Sequence, residues 1–402
     1  MGVAVFGELG YTIVNSSAMP VYVKAIDLPL KWVAIVTASF LIMEGLLKSP
    51  FGVLSDKVGR KILILLGPLI SVITSLITPH IENPYLLVGL RILDGIGAAA
   101  LWPASFSLIG DYVPEKRRAT AMSYFNLAYL LGVALGPLMG GTIDDFSKHH
   151  LHATDVTSKY YSFYLAAIFF ALTSLVALIV LPGGKPVSHH HMETGEGFEI
   201  KSFRKMLKKM PAVLGITFII FLGIGLIMSY FKLFAMDTFQ ISEQRYGILL
   251  LIPALIIAAL SVPLGTLGDR FGKSFAIKSG IGICAFFFWL LLFFLNQYTL
   301  VVFGAFIGLG FVIAFPAWMA LVSQTCPPSQ RGAAIGAVGT AQGLGAILGV
   351  AVSGGLYSRP GFRFHELHIP NHGLPFVGCA SMLLLAFLLT MIYIHEPVQK
   401  GN

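Results

Sequence analysis

Charged side chains are scarce in this chain. Asp, Glu, Lys and Arg make up 11% of its 402 residues, where a soluble globular domain carries roughly 25%. A large soluble helical core would need polar faces that its helices lack, and is excluded. Cysteine is scarce too. Cys284, Cys326 and Cys379 fall in or beside apolar segments without paired spacing, so neither a disulfide framework nor a metal site is indicated. Apolar and polar residues do not alternate with period two, which excludes a membrane β-barrel. A nucleotide-binding loop, a catalytic triad and a metal-ligand set are also missing. The chain does not read as an enzyme, and no cofactor is expected. Residues 1–20 lack the basic flank and small-residue cleavage site of a signal peptide, and read instead as a membrane helix. That helix starts unusually close to residue 1, which is compatible with a preceding tail.

What the chain has is apolar length. Hydrophobic residues form 56% of it, in recurring runs of about 20 residues, each enough to span about 30 Å of hydrocarbon. The fold class is an all-α polytopic membrane protein. Twelve helices are expected over 2–22, 32–54, 61–80, 84–110, 119–142, 159–181, 211–235, 246–267, 275–296, 298–322, 331–357 and 374–395. They are numbered 1 to 12 below. Residues 1–182 would form an N-terminal six-helix bundle, 183–210 a central polar loop and 211–402 a C-terminal six-helix bundle. Residues 143–158 and 358–373 are polar connections that each follow the fifth helix of their half.

Orientation follows from Lys and Arg, which favour the cytoplasmic side. With the N-terminus inside, the cytoplasmic turns hold most of them, including Lys57, Lys116, Arg117, Arg118, Arg204 and Lys278. The outer turns hold few, among them Lys24, Lys31, Lys148 and Lys159. A multi-pass protein of the cell inner (plasma) membrane with both termini cytoplasmic is expected. The net charge of +8 then reflects cations facing anionic lipid of the bilayer, and no nucleic-acid partner is implied.

The sequence repeats itself. One offset, 265 − 52 = 213, carries Gly52 to Gly265, Asp56 to Asp269, Gly59 to Gly272, Gly95 to Gly308, Gly97 to Gly310 and Pro103 to Pro316. It also carries Pro114 to Pro327, Arg118 to Arg331, Gly136 to Gly349 and Gly141 to Gly354. Six helices are duplicated in the same orientation, as parallel repeats.

Three motifs lie on this frame. "GVLSDKVGRK", residues 52–61, joins helices 2 and 3, and "GTLGDRFGK", residues 265–273, joins helices 8 and 9. Their glycines permit a tight turn and close backbone approach. The first matches G-x-x-x-D-[RK]-x-G-[RK]-[RK] throughout, and here the chain resembles the major facilitator superfamily. Helix 4 is similar to that family's R-x-x-x-G-x-G-x-A element, with Arg91, Gly95, Gly97 and Ala99 in place. Helix 5 carries "GVALGPLMGG", with Gly132, Gly136, Pro137, Gly140 and Gly141, and looks like the element of the drug:proton antiporters. Its C-half counterpart keeps Gly345, Gly349, Gly354 and Gly355 but has Val350 for the proline.

The resemblance implies two six-helix bundles around a central cavity and a cytoplasmic gate. The gate would be built from Gly52, Asp56, Gly59, Arg60 and Lys61 with Gly265, Asp269, Arg270, Gly272 and Lys273. It further implies a secondary transporter exporting a hydrophobic or amphipathic small molecule in exchange for protons. Other readings are an importer or uniporter of a sugar, siderophore or lipid, and a non-transporting membrane sensor. A monomer is expected.

Charges inside the apolar runs are costly and mark function or pairing. Glu44 and Lys48, four apart on helix 2, read as an intrahelical pair. Glu8, Asp94 and Arg91 are the proton-coupling candidates, since burial and a neighbouring Arg act oppositely on a carboxyl. Lys232 stands alone in the C-half. The histidine groups at 189–191, 149–152 and 365–372 read as solvated loop residues. Trp102, Trp318 and Tyr129 are candidates for an amphipathic pocket or for core packing.

Overall fold

Within hydrocarbon every backbone N–H and C=O must be satisfied inside the chain, so apolar runs of membrane length fold as helices. The computed structural model describes residues 1–181, 210–265, 267–325, 331–364 and 367–394. Helices 2 to 6 are Lys31–Val58, Arg60–Ile77, Pro84–Tyr112, Glu115–His150 and Asp155–Val180. Helices 8 to 12 are Glu243–Gly265, Lys273–Phe293, Gln297–Thr325, Arg331–Tyr357 and Leu374–Tyr393. The short helix Leu267–Phe271 sits between helices 8 and 9. A small hairpin, Phe362–Phe364 paired with Leu367–Ile369, precedes helix 12.

Helices 1 and 7 are interrupted. Helix 1 runs as Gly2–Thr12, a π-helical stretch Ile13–Ala18, and Met19–Ala25. Helix 7 runs as Pro211–Met228 and Phe231–Phe239, with a break at Ser229 and Tyr230. Among the described residues, 11 helices are individually long and apolar enough to cross a membrane. The π stretch divides helix 1 into pieces too short to be counted with them, and with it the twelve-helix architecture is complete.

Helix 5 is longer than the sequence implies. Residues 143–150, expected in a polar connection, continue the helix to His150. Their polar groups are used rather than solvated: Asp144 and Ser147 are fully buried. Helix 6 then starts from a capping box in which Thr154 and Thr157 satisfy each other's backbone N–H.

The chain gathers into two units, Met1–Met192 with Ser229–Leu251, and Glu193–Met228 with Ile252–Asn402. The segment at the end of helix 7 and the start of helix 8 thus belongs with the first six helices. In the first unit, helix 1 packs on helices 5 and 6, helix 3 on helices 4 and 6, and helix 2 on helix 4. In the second, helix 7 packs on helices 11 and 12, and helix 9 on helices 10 and 12. The packing of helices 1 and 3 is therefore repeated by helices 7 and 9.

Glycine pairs show why. A Cβ on Gly67 would lie 2.5 Å from the Gly97 carbonyl oxygen, and one on Gly97 would lie 2.6 Å from that of Gly67. Gly280 and Gly310, their counterparts 213 residues on, are in the same reciprocal contact at 2.4 and 2.6 Å. Close main-chain approach is what holds membrane helices together where no hydrophobic drive exists. The two motif turns match as well: Gly59 has φ 100° and Gly272 φ 94°, a region open to glycine and strained for other residues. Large apolar side chains such as Leu46, Ile73, Ile168, Ile179, Phe286 and Tyr298 point outward, as a lipid-facing surface requires.

Candidate functional site

Helix 1 organises the polar interior of the first unit. Glu8, Thr12 and Ser17 lie along one side of it and are buried. The helix 5 glycines lie against them in turn. A Cβ on Gly132 would meet the Glu8 Cβ at 2.6 Å, one on Gly136 the Thr12 Cβ at 2.7 Å, and one on Gly140 the Ser17 Oγ at 2.5 Å. The four-residue glycine spacing thus makes a smooth strip on which the polar side of helix 1 rests. The Thr12 hydroxyl donates to Glu8 Oε1 at 3.0 Å, and the Tyr129 side chain on helix 5 also reaches Glu8. Pro137 stands within helix 5, and its carbonyl side receives helix 8: a Cβ on Gly247 would lie 2.4 Å from the Leu138 Cα.

One turn further along helix 1, the Arg91 and Asp94 pair of helix 4 is buried at 2% and 1% exposure. Arg91 Nη1 donates to Asp94, and its Nη2 donates to Asn15 on the π stretch of helix 1. Asp94 also accepts from the Ser71 hydroxyl and, at 3.4 Å, from Thr74. Ser71 meets the Tyr11 hydroxyl at 3.0 Å. The guanidinium lies over the Phe40 ring at 4.6 Å, a cation–π contact that supplements hydrogen bonding where water is excluded. The helical wall here is main chain on main chain, as Gly95 abuts the Phe40 carbonyl. π stretches often mark functional positions because they displace side chains from the regular helical ladder.

Of the third group, the sequence singled out Lys232 as standing alone in the C-half; it is paired there with Glu243. Glu243, in the first turn of helix 8, accepts from Lys159 of helix 6 and from Lys232 of helix 7. Lys159 also donates to Asp144 of helix 5 at 2.6 Å. Lys232 donates to the Ser17 carbonyl at 2.8 Å and hydroxyl at 3.0 Å. The four ionised groups are at most 2% exposed. Lys159, expected in an outer turn, is a buried helical residue, because two carboxylates receive its charge. Glu243 reads in sequence as an ordinary acid at a helix start. A signal was present in the opposite charges Asp144, Lys159 and Glu243 at the ends of separate apolar runs.

The remaining sequence candidates fall in two places. Lys48 pairs with Glu44 on helix 2 at 2.8 Å. In the first motif turn, Arg60 Nε donates to Asp111 at 3.0 Å, and Lys61 donates to the Leu178 and Leu181 carbonyls at 2.8 and 2.7 Å. Gly52 and Gly265 have open surroundings, and Arg270 is exposed while Lys273 is half-buried. The side chains of Asp56 and Asp269 lie outside the described residues, as do the central loop over 183–209 and the histidines 189–191. Among the described residues no group of His, Cys, Asp or Glu could hold a metal.

The second unit contains a cavity of about 160 Å³. Phe221, Phe288, Phe311, Phe315, Trp318 and Gln342 are among its walls, and no charged residue lines it. The Trp318 indole donates to Thr217 at 3.1 Å, so its polar edge is occupied and its ring faces the space. Trp102 instead packs edge-on to Tyr129, 5.2 Å between centroids, within the first unit.

Comparison with known proteins decides the family. The family model of the Major Facilitator Superfamily matches residues 1–216 and again residues 213–402. The chain belongs to the major facilitator superfamily. It is similar to multidrug resistance protein 2 of Bacillus subtilis, 26% identical over 384 residues, 93% of this chain and 89% of that protein. It is also similar to the quinolone resistance protein NorA of Staphylococcus aureus, 24% identical over 351 residues, 84% of each. Among solved structures, the nucleoside transporter NupG matches 98% of this chain and 99% of its own at a TM-score of 0.76 and 15% identity. A D-xylose–proton symporter matches 100% and 97% at 0.75 and 19%. These two likenesses establish the fold. As a major facilitator protein the chain is a multi-pass membrane transporter of small molecules and not an enzyme, and its repeated six-helix halves are the superfamily's own.

Proposed function

We propose that this transporter exports a hydrophobic or amphipathic small molecule in exchange for protons, by alternating access. One observation carries the coupling. Among the described residues the buried carboxylates are Glu8, Asp94, Asp144 and Glu243. Asp94, Asp144 and Glu243 are ion-paired, whereas Glu8 is in none of these ion pairs, although the charges of Glu44 and Lys48 on helix 2 act on it. A paired carboxylate is held as an anion by its partner, whereas an unpaired one is free to take and release a proton as its access to water changes. Glu8 also lies directly against the antiporter-type glycine strip, so sliding of helix 5 on helix 1 would alter its surroundings. Asp94 is a second carrier only when Arg91 turns away from it, which makes Arg91 its control.

The aromatic cavity of the second unit supports the substrate class. An uncharged wall of aromatic and aliphatic side chains, with Gln342 and Thr217 as its main polar groups, suits apolar and aromatic groups and offers few partners to a sugar's many hydroxyls. The multidrug and quinolone resistance relatives point the same way. We place the protein in the inner (plasma) membrane as a monomer with both termini cytoplasmic, on its Lys and Arg bias.

Inverted vesicles bathed in a fluorescent amphipathic dye test this reading. An imposed proton gradient should drive accumulation by the wild type, while Glu8→Gln loses uphill transport and keeps downhill exchange. Asp94→Asn is read in parallel. Full uphill transport by both variants at every pH would show that the proton site lies elsewhere, and accumulation in the opposite sense would mark an importer.

A further inference from the structure

The buried cluster at Glu243 takes no part in the coupling argued above, yet it is the densest set of charges in the described interior. It joins five elements. Ser17 comes from the π stretch of helix 1, Asp144 and Lys148 from helix 5, Lys159 from helix 6, Lys232 from helix 7 and Glu243 from helix 8. Tyr246 presents its ring to the Lys232 ammonium at 5.9 Å. Lys148 bridges Asp144 and the exposed Asp155 at 3.1 and 3.0 Å. Within the core of the cluster, Asp144 and Glu243 balance Lys159 and Lys232.

Such a cluster is a poor device for mere stability. Burying ions costs several kcal/mol each, and apolar side chains of similar volume hold a core as well or better. It suits a contact that must open. Apolar faces pulled apart expose surface that water penalises, whereas separated ions regain hydration. The segment it retains is also the one that leaves its own half of the sequence: Ser229–Leu251 is gathered with the first unit. Its other ties include main-chain contact of Gly141 with the Glu243 carbonyl. Tyr230 donates to the Leu30 carbonyl at 2.6 Å, Lys24 pairs with Asp237 at 2.6 Å near the surface, and Gly247 abuts Leu138.

We propose that Glu243 is a conformational latch. Its ion pair with Lys159 holds the helix 7–8 elbow on helix 6, its pair with Lys232 lies within the elbow and aims the ammonium at Ser17 of helix 1, and the transport cycle must break the Glu243–Lys159 and Lys232–Ser17 contacts for the elbow to move away. This rests on the alternating-access reading, but its test needs neither substrate nor a proton gradient.

The test is a distance measurement by pulsed electron paramagnetic resonance on purified protein in lipid nanodiscs. Spin labels at Leu151→Cys and Gln240→Cys, both exposed positions, report the separation of the helix 5 end from the elbow. Cys284, Cys326 and Cys379 are replaced by alanine. The wild-type background should give mainly the short distance. E243Q leaves a buried cluster with excess positive charge, and the ratio of long to short distances should rise at least about tenfold. The double variant K232M/E243Q removes one cation as well and leaves Asp144 with Lys159, so the repulsion is relieved while both contacts of the latch stay broken, and the long distance should persist. An unchanged distribution in E243Q overturns the latch. So does a double variant that returns to the short distance, since that would assign the opening to stranded charge and not to the lost contacts. Should E243Q fail to fold, Glu243→Asp is decisive, because its shorter side chain keeps the charge but cannot span both lysines. A new long-distance population there supports the latch, and its absence overturns it.

Discussion

Replacing Gly132 by alanine adds one methyl group where the chain has no room for it. The new Cβ would lie 2.6 Å from the Glu8 Cβ, 3.0 Å from its Cγ and 3.0 Å from the Leu9 nitrogen. Carbon atoms rest at about 3.5–4.0 Å, so helix 5 must retreat from helix 1 by about 1 Å. The obstacle is a Cβ and a backbone nitrogen, which no rotamer change can move aside. Overpacking of this kind costs about 1–3 kcal/mol, or roughly a 5- to 150-fold shift in a two-state population. Gly89→Ala is the matched control. A Cβ there meets nothing within 4 Å, and alanine favours a helix by about 1 kcal/mol over glycine. Thermal unfolding of the purified protein, followed by tryptophan fluorescence, should therefore move in opposite directions for the two variants. Gradient-driven transport should fall for Gly132→Ala and persist for Gly89→Ala. If Gly132→Ala is as stable and as active as Gly89→Ala, the glycine strip is not a packing surface and the argument built on Glu8 beside it fails.

Three further outcomes are expected. Gly59→Ala and Gly272→Ala each place a Cβ at a φ near 100°, costing about 1–3 kcal/mol, and each should lower the unfolding midpoint; no change in either would mean the turns relax freely. Arg91→Ala strands the buried Asp94 carboxylate, at about 3–5 kcal/mol, and Arg91→Ala/Asp94→Asn should recover much of the lost stability; equal instability of the two would assign the loss to packing. Lys48→Met should leave stability and transport near the wild type. The Lys48 side chain is 49% exposed, and screening holds such a pair to about 0.5 kcal/mol or less. A large loss in transport would give Lys48 a role beyond its pair with Glu44.

The helices were legible because membrane length and apolar character coincide, and the observed spans differ from the expected ones mostly by a few residues. The repeat was legible because glycines that touch main chain tolerate no substitute, as Gly97 and Gly310 show against Gly67 and Gly280. Where the reading failed, polarity was mistaken for solvent exposure. Asp144 and Ser147 read as a polar connection and Lys159 as an outer-turn cation at a helix start, but Ser147 bonds back to the Asp144 carbonyl, Asp144 pairs with Lys159 of the next helix, and Lys159 also reaches Glu243, 84 residues away. Glu243 was passed over as an ordinary acid at a helix start: its significance lies in Lys159 and Lys232, 84 and 11 residues away. The π stretch in helix 1 also left no mark, since Ile13–Ala18 differs little in composition from any polar-tinged helix.

The reciprocal glycine contacts have a mechanical meaning. Where Gly67 meets Gly97, and Gly280 meets Gly310, carbonyl oxygens bear on α-carbons and no side chain lies between them. Side chains cushion most helix contacts by hopping between rotamers; these joints have no such give. Helices 3 and 4 therefore travel as one stiff plate, and helices 9 and 10 as another. Bending during transport then falls to interruptions of the hydrogen-bond ladder away from these joints, among them the π stretch of helix 1, the break at Ser229 and Tyr230, and the prolines at 50 and 263, one in each half.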